Sequence, residues 1–243
     1  MRLHGKIAAV TGGSGGLGGA IAQGLADEGA TVTVLDRART SSKSTLEHID
    51  VDVRDPEQLR FAYERIEHQH GRLDALVVSA GVQLHGEDGP LGETSLETWT
   101  RTLDVNLTGA FLSIKYALPL LVASAHGSLI LIGSPTGLTM SGAGYSAYSA
   151  SKAGMMALSR IVAADYAAAG VRSNVIVPGT MNTPLITGLL ADENTRAALL
   201  SGTPLGRLGE PDDLVGITTW LASDESRFAT GAMFAVDGGM TAR

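Results

Sequence analysis

Seven short runs of β-branched and aliphatic residues recur along the chain, and helical patterns follow them. Several runs are apolar without alternation, as expected of strands that are covered on both faces. This order predicts a doubly wound α/β fold, with a mainly seven-stranded parallel sheet and helices on both faces. The predicted strands are KIAAV (6–10), TVTVL (31–35), EHIDV (47–51), LDALVV (73–78), SLILI (128–132), SNVIV (173–177) and AMFAV (232–236). The helix candidates are 17–28, 56–69, 95–123, 148–169 and 210–222.

Two connections depart from this regular alternation. The segment RARTSSKSTLE (37–47) is short and polar for a crossover helix, so we expect a loop or a single turn. The segment 180–208 is long for a connection, and long insertions in compact domains often act as lids. No composition shift marks a boundary, so we expect residues 1–243 to form one domain.

Charge and cysteine content exclude several classes of function. The formal net charge of −7 makes a nucleic acid or an anionic membrane surface an unsuitable partner. There are no cysteines, which excludes disulfides and thiol catalysis, and the six histidines show no zinc-ligand spacing. We read no signal peptide and no membrane-spanning stretch, so the sequence predicts a cytoplasmic protein.

A glycine-rich segment, TGGSGGLG (11–18), lies between the first predicted strand and helix. Backbone N–H groups at such a helix start favour a bound phosphate. Two dinucleotide-binding registers fit: Gly13, Gly15 and Gly18, or Gly12, Gly16 and Gly18. Asp36 ends the second strand 20 residues after Gly16, where an acid accepts hydrogen bonds from an adenosine ribose. The alternative is a glycine turn that binds no ligand.

Small and polar residues collect where the predicted strands end. Ligands of open α/β sheets bind outside the carboxyl ends of the strands, so one edge of one sheet would carry all of these residues. They are Thr11 to Gly18, Asp36, Asp52, Val53, Ser79, Ala80, Gly81, Gly133, Ser134, Pro178, Gly179 and Thr180.

The segment GYSAYSASKAG (144–154) pairs a phenol with an ammonium. Tyr148 and Lys152 are four residues apart and share a helix face, whereas Tyr145 is expected just before the helix. A nearby ammonium lowers the pKa of a phenol and makes it a suitable general acid or base for an alcohol and its ketone. Tyr148 is therefore the chemical candidate, and Tyr145 is placed to line a pocket. The alternative is a tyrosine packed beside a solvated lysine.

Several specific motifs occur together from Thr11 to Gly239, and with them the chain resembles a classical short-chain dehydrogenase/reductase over nearly its whole length. These motifs are TGGSGGLG (11–18), DVNLTGAF (104–111), YSASK (148–152), VRSNVIVPGTMNTP (171–184), GRLGEPDDL (206–214) and GAMFAVDGGM (231–240). The resemblance implies a Rossmann-type fold, the glycine register 12, 16 and 18, and pairing of subunits through the helices at 103–123 and 148–169, commonly into homotetramers.

The resemblance also implies roles for four residues. Ser134 would hydrogen-bond the substrate oxygen and Tyr148 would transfer its proton. Lys152 would lower the pKa of Tyr148 and bind the nicotinamide ribose, and Asn106 would hold a water that links Lys152 to solvent. The hydride would move to or from the nicotinamide ring, so no metal is needed.

A wider set of residues is expected around the cofactor and the substrate. The cofactor set is Gly12, Ser14, Gly15, Gly16, Leu17, Gly18, Asp36, Arg37, Asp52, Val53, Ser79, Ala80, Gly81, Tyr148, Lys152, Pro178, Gly179, Met181 and Thr183. The substrate set is Ser134, Thr136, Tyr145 and Met181. A partly apolar pocket is suggested by Tyr145, Met140, Met181 and the lid at 180–208. His85, beyond the fourth predicted strand, is expected at the surface; the alternative is that it reaches the substrate side.

Asp36 favours NAD over NADP, because its carboxylate repels a 2′-phosphate. Arg37 is the complication, since it could pair with that phosphate, but position 14 is Ser rather than a second basic residue. The sequence thus predicts an NAD(H)-dependent enzyme that interconverts a secondary alcohol and a ketone. The alternatives are an NADP-dependent carbonyl or 3-oxoacyl-thioester reductase and a non-catalytic dinucleotide-binding regulator.

The chain departs from the family pattern in two places. Val78 and Ser79 stand where the family has two asparagines, so a strand-stabilising hydrogen bond is missing or is made by Ser79. The interval from Ser134 to Tyr148 is one residue longer than the commonest family spacing, with Pro135 next to the serine.

Overall fold

Seven parallel strands form one sheet in the computed structural model, which describes residues 1–37, 46–139 and 143–242. The strand order β3-β2-β1-β4-β5-β6-β7 confirms the predicted doubly wound sheet. Met140 and most of the connection 37–47 lie outside the described residues. The strands are β1 (Ile7–Thr11), β2 (Thr31–Asp36), β3 (Glu47–Asp50), β4 (Ala75–Val78), β5 (Ser128–Ile132), β6 (Arg172–Pro178) and β7 (Met233–Val236).

The helices follow the predicted segments, with differences at their ends. The predicted helix 95–123 is broken by a π-helical turn, and 148–169 ends in a separate 3-10 turn, Ala167–Ala169. The segment 180–208 contains two short helices. The helices are α1 (Gly16–Asp27), α2 (Pro56–His70), α3 (Leu96–Leu103), the π-helix Asp104–Thr108, α4 (Gly109–Ala123), α5 (Pro135–Thr139), α6 (Ser146–Asp165), α7 (Thr187–Leu190), α8 (Glu193–Ser201) and α9 (Val215–Ala222), which a 3-10 turn, Pro211–Leu214, precedes.

Each face of the sheet is covered by its own apolar layer. On one face, α2, α4 and α6 pack against side chains such as Leu76, Leu129 and Val175. On the other, α1 and α9 pack against Val10 and Ile130. The strands β1, β4 and β5 are buried at every position, which explains their unbroken apolar runs.

Among the described residues, one helical run reaches the length and apolarity of a membrane span. Leu96–Ala123 has 28 residues, and an 18-residue window within it has a mean hydropathy of 1.4, so the expectation that no stretch approaches a span was wrong for this segment. Its inner side chains, among them Ile114 and Leu121, belong to the core that covers the sheet. This packing is that of the core helix of a globular protein.

The order in which successive strands are added to the sheet reverses at β1. Strands β2 and β3 extend to one side of β1, whereas β4 to β7 extend to the other. The loops that leave β1 and β4 therefore diverge and open a crevice at the carboxyl edge, which is where open α/β sheets bind ligands.

Candidate active site

A cavity of about 750 Å³ runs along this carboxyl edge. Nearly all residues predicted at the cofactor and the substrate line it; Ser14 and Asn106 are the exceptions among the predicted residues that the structure describes. The predicted lining residues are Gly12, Gly15, Gly16, Leu17, Gly18, Asp36, Arg37, Asp52, Val53, Ser79, Ala80, Gly81, Ser134, Thr136, Tyr145, Tyr148, Lys152, Pro178, Gly179, Met181 and Thr183.

The glycine loop leaves an uncapped helix start in the cavity. Gly15 is the N-cap of α1 and has no side chain to cap the first turn, and no described residue supplies a side-chain cap, so the N–H groups of this turn suit an anion. Gly16 has φ of +53° and open space where a side chain would point. A Cβ on Gly12 would lie 2.7 Å from the Ala80 backbone, and one on Gly18 would strike the Gly12 carbonyl. These constraints favour the register Gly12, Gly16 and Gly18, and the cradle fits a dinucleotide pyrophosphate.

Asp36 is held at the end of β2 by backbone donors. The Ser14 N–H donates to its Oδ2 at 3.0 Å, and the Arg37 N–H donates to its Oδ1 at 2.7 Å. Ser14 therefore positions Asp36 instead of lining the cavity. Because each carboxylate oxygen keeps a free lone pair, Asp36 can still accept hydrogen bonds from ribose hydroxyls.

Two contacts shape the rest of the cofactor cleft. Arg54 pairs with Asp52 at 2.6 Å, and this hydrogen-bonded guanidinium lowers the pKa of the Asp52 carboxyl. The Thr11 hydroxyl accepts hydrogen bonds from the backbone N–H groups of Ser79 and Ala80, at 3.2 and 3.4 Å. Thr11, and not the Ser79 side chain, thus ties β1 to the end of β4, where the family has two asparagines.

Tyr148, Ser134 and Lys152 meet at the centre of the cavity. Burial raises the pKa of Tyr148 to about 12, and a hydrogen bond with Ser134 opposes this shift. The Ser134 hydroxyl lies 3.1 Å from that of Thr136. Lys152 donates to the Ile132 carbonyl at 2.8 Å, with Nζ 5.7 Å from the Tyr148 ring centroid. Burial lowers the pKa of Lys152 to about 8.

Burial is the largest influence on the pKa of Tyr148 and raises it. The expected lowering of this pKa by Lys152 stays a prediction. The charge of Lys152 is itself weakened by burial, since an ammonium loses its hydration in an apolar interior.

Asn106 lies in the π-helical turn between α3 and α4 and is fully buried. Its Oδ1 accepts from the Val82 N–H at 2.7 Å, and its Nδ2 donates to the Val82 carbonyl and to the Ser151 hydroxyl. Both amide protons are used, so the side chain clamps the loop after β4 to α6. A water could reach only Oδ1 or the backbone of Asn106, and the proton relay stays a prediction.

The substrate end of the cavity is mostly apolar. Tyr145 precedes α6 as predicted and contacts the His85 ring edge-on, with centroids 5.6 Å apart. His85 is half-buried and lines the cavity, so the expectation of a surface histidine was wrong, and burial lowers its pKa. The segment 180–208, predicted as a lid, supplies Leu185, Ile186, Leu189 and Leu199 to the lining. The sequence did not reveal Gln83, Leu84 and Met240.

Comparisons with known proteins agree with this geometry. A family model described as Enoyl-(Acyl carrier protein) reductase matches residues 12–241. A cis-4-hydroxycyclohexanecarboxylate dehydrogenase from Sinomonas cyclohexanicum is 37% identical over 98% of this chain and 97% of its own. The 3-oxoacyl-acyl-carrier-protein reductase FabG of Thermotoga maritima is 32% identical over 99% of both chains. The structure of a gluconate 5-dehydrogenase from Burkholderia cenocepacia, in complex with NADP and tartrate, superposes with a TM-score of 0.93 at 31% identity, over 100% of this chain and 97% of its own.

A dinucleotide cradle beside a half-buried tyrosine and a buried lysine is typical of a nicotinamide-dependent oxidoreductase. The chain belongs to the classical short-chain dehydrogenase/reductase family, as its motifs predicted. It is an NAD(P)-dependent enzyme that interconverts secondary alcohols and ketones. A purely regulatory dinucleotide-binding role does not fit these findings.

Proposed function

We propose that this enzyme oxidises a compact cyclic secondary alcohol with NAD and that Tyr148 is the general acid/base. The observation that carries the proposal is the meeting of Tyr148, Ser134 and Lys152 in the lining of one cavity, with Lys152 Nζ 5.7 Å from the Tyr148 ring centroid. A phenol that lines the cavity beside a serine hydroxyl can exchange its proton with a bound substrate.

Each residue has a definite task in this proposal. Ser134 holds the substrate oxygen, and Tyr148 takes the hydroxyl proton during oxidation or returns it during reduction. Lys152, which is mostly charged at neutral pH because its pKa is about 8, stabilises the phenolate when it forms. Asn106 holds the loop after β4 against α6 through Val82 and Ser151. The nicotinamide, when bound, gives or accepts the hydride.

The cofactor is placed by the carboxyl ends of β1 to β4 and of β6. The uncapped start of α1 suits the pyrophosphate, and Asp36 suits an adenosine ribose with two free hydroxyls. Against a 2′-phosphate, Asp36 offers repulsion, so NAD is the proposed cofactor. The described residues place Arg37 at the same rim, which is the feature that would admit NADP.

The lining of the cavity and one relative support the choice of substrate. The substrate end is lined by leucine, isoleucine and methionine side chains, with polar groups at Ser134, Thr136, Tyr145 and His85. An apolar wall with a few polar groups suits an alicyclic ring that carries a further polar substituent. The relative from Sinomonas is named for such a substrate. We propose that 180–208, which supplies Leu185, Ile186, Leu189 and Leu199, is the lid of this pocket within one domain.

A matched pair of tyrosine variants tests the assignment. Tyr148→Phe removes the phenol and should lower kcat about 10²- to 10⁴-fold for oxidation of cis-4-hydroxycyclohexanecarboxylate, with the Kd for NADH nearly unchanged. Tyr145→Phe removes the same atom at the edge of the pocket and should cost far less. Equal losses of kcat in the two variants would contradict the role of Tyr148.

A 3-oxoacyl-thioester reductase is the second candidate, because the Thermotoga relative has that activity in its name. Turnover of acetoacetyl-CoA with NADPH, faster than that of the cyclic alcohol with NAD, would favour it. We also propose a cytoplasmic homotetramer, with subunits paired through the apolar helices α4 and α6.

A further inference from the structure

The catalytic helix α6 begins without a cap of its own. Tyr145 occupies the N-cap position, and its side chain makes no hydrogen bond to the first turn. Serine, threonine, aspartate or asparagine usually stands at this position, because a side-chain oxygen there accepts the free N–H groups of the turn. Tyr145 instead turns its ring toward His85 in the substrate pocket.

A buried carboxylate from a distant loop takes the place of that cap. Asp88, which is only 8% exposed, lies in the segment between β4 and α3. Its Oδ1 accepts from the Ala147 N–H at 3.2 Å, and its Oδ2 accepts from the Tyr148 N–H at 3.0 Å. These are the second and third residues of the helix, the two whose N–H groups an N-cap side chain serves.

The Asp88 loop is itself fixed to the start of α6. The Gly89 N–H and the Thr94 hydroxyl donate to Asp88 Oδ1 at 3.0 and 3.3 Å. The Ser146 hydroxyl donates to the Gly89 carbonyl at 2.8 Å. The carboxylate is thus held rigidly, and its negative charge faces the positive end of the α6 dipole.

We propose that Asp88 is a positioning residue for catalysis: it caps α6 from outside the helix and thereby fixes the height of the Tyr148 phenol above the substrate. This role rests on the proposed function of Tyr148. It also explains why an aromatic residue is tolerated at position 145, since the cap does not have to come from there. Tyr145, at the start of α6, faces the substrate pocket, and Tyr148, one turn further on, transfers the proton.

The test compares Asp88→Ala and Asp88→Asn with Asp55→Ala. Asp55 is the N-cap residue of α2, its side chain accepts from the Glu57 and Gln58 N–H groups, and it does not line the cavity. Hydrogen–deuterium exchange of the peptide 144–150 should accelerate in Asp88→Ala and stay unchanged in Asp55→Ala. This readout needs no substrate, so it remains valid if the proposed alcohol is not turned over.

Kinetics then separate positioning from general stability. With NAD and cis-4-hydroxycyclohexanecarboxylate, Asp88→Ala should lower kcat by about 10²-fold, because a displacement of about 1 Å costs that much, with the KM for NAD nearly unchanged. Asp88→Asn keeps one carbonyl oxygen as an acceptor and should recover part of kcat, which also covers the case in which the alanine variant does not fold. The proposal would be overturned if the peptide 144–150 of Asp88→Ala exchanged as slowly as in the wild type. Equal losses of kcat in Asp88→Ala and Asp55→Ala would overturn it too. A loss in Asp88→Ala without any loss in Tyr148→Phe would instead refute the role of Tyr148.

Discussion

Burial sets the charge of the two side chains that handle the proton. Lys152 is buried and Tyr148 is half-buried, and poor solvation of charge raises the pKa of the phenol and lowers that of the ammonium. Folding therefore favours the neutral forms of both groups. Of the two, Lys152 lowers the stability of the protein at neutral pH, because a tyrosine is uncharged there in both the folded and the unfolded chain.

The pKa of Lys152 leads to a prediction about stability. In the unfolded chain a lysine has a pKa of about 10.4, whereas in the folded protein that of Lys152 is about 8. Between these values the unfolded state binds more protons, so this group makes the free energy of unfolding rise with pH, and its full cost remains below pH 8. The difference in unfolding free energy, wild type minus Lys152→Met, should therefore increase from pH 7 to pH 9.5 in urea titrations. Lys115→Met removes an exposed charge and should show a flat difference; a flat difference for Lys152→Met would refute the depressed pKa.

Asp36 carries the prediction about cofactor choice. Its two oxygens are oriented by Ser14 and Arg37 at the rim where the adenosine ribose is expected. We expect kcat/KM with NAD to exceed that with NADP by at least ~10-fold, equivalent to about 1.4 kcal/mol. Asp36→Ala should erode this preference by removing the repulsion. A wild-type preference for NADP in steady-state kinetics would show that Arg37 sets the choice.

At the scale of elements, α1 can pack closely against the loop after β1 because residue 18 has no side chain. A Cβ on Gly18 would strike the Gly12 carbonyl and come within 3.2 Å of the Gly13 Cα. The neighbouring Gly19, also in α1, has no such contact, since a Cβ there would lie 3.6 Å or more from any other group. Position 18 therefore has no room for a side chain, whereas the adjacent position 19 has room for one.

This contrast gives a paired prediction. Gly18→Ala should lower the free energy of unfolding by about 1–3 kcal/mol, as overpacking does, and should weaken NADH binding because the glycine loop must move. Gly19→Ala should raise the free energy of unfolding by about 0.5–1 kcal/mol, because alanine is the better helix former. Chemical denaturation of both variants checks the pair; a stable Gly18→Ala would contradict the close packing of α1 against the loop after β1.

At the scale of the whole molecule, helices α4 and α6 expose large apolar side chains beside their buried faces. Phe111 is 47% exposed and Ile161 is 53% exposed. We expect these faces to meet in an isologous interface, as proposed for the tetramer. Ile161→Glu should reduce the mass measured by light scattering at micromolar concentration. Phe61→Glu, on the exposed side of α2, should leave it unchanged. A monomeric wild type would contradict the interface.

The sheet could be predicted because its strands are apolar on both faces, a pattern that survives in the sequence without any partner. The site could be predicted as far as residues follow strand ends, as Asp36 and Ser134 do. Asp88 could not be found in this way, because its contact with Tyr148 across 60 residues has no local signature. The π-helical turn at Asn106 could not be predicted for the same reason, since the Asn106 amide bonds Val82 and Ser151, which are distant in sequence.

The central position of β1 has a consequence for how the chain is made. Every strand pairing in the described sheet is parallel, and Ile7, at the start of β1, bonds Asp74 across 67 residues. At a synthesis rate of about 5–20 residues per second, the first strand emerges from the ribosome several seconds before β4 is available to it. During that interval its apolar edge is open to other chains, whereas β5, β6 and β7 later add in order of their synthesis. We therefore expect protection of the nascent chain from aggregation to matter most before residue 78 has emerged. We also expect refolding from denaturant to be slow, since a long loop must close before β1 can pair with β4.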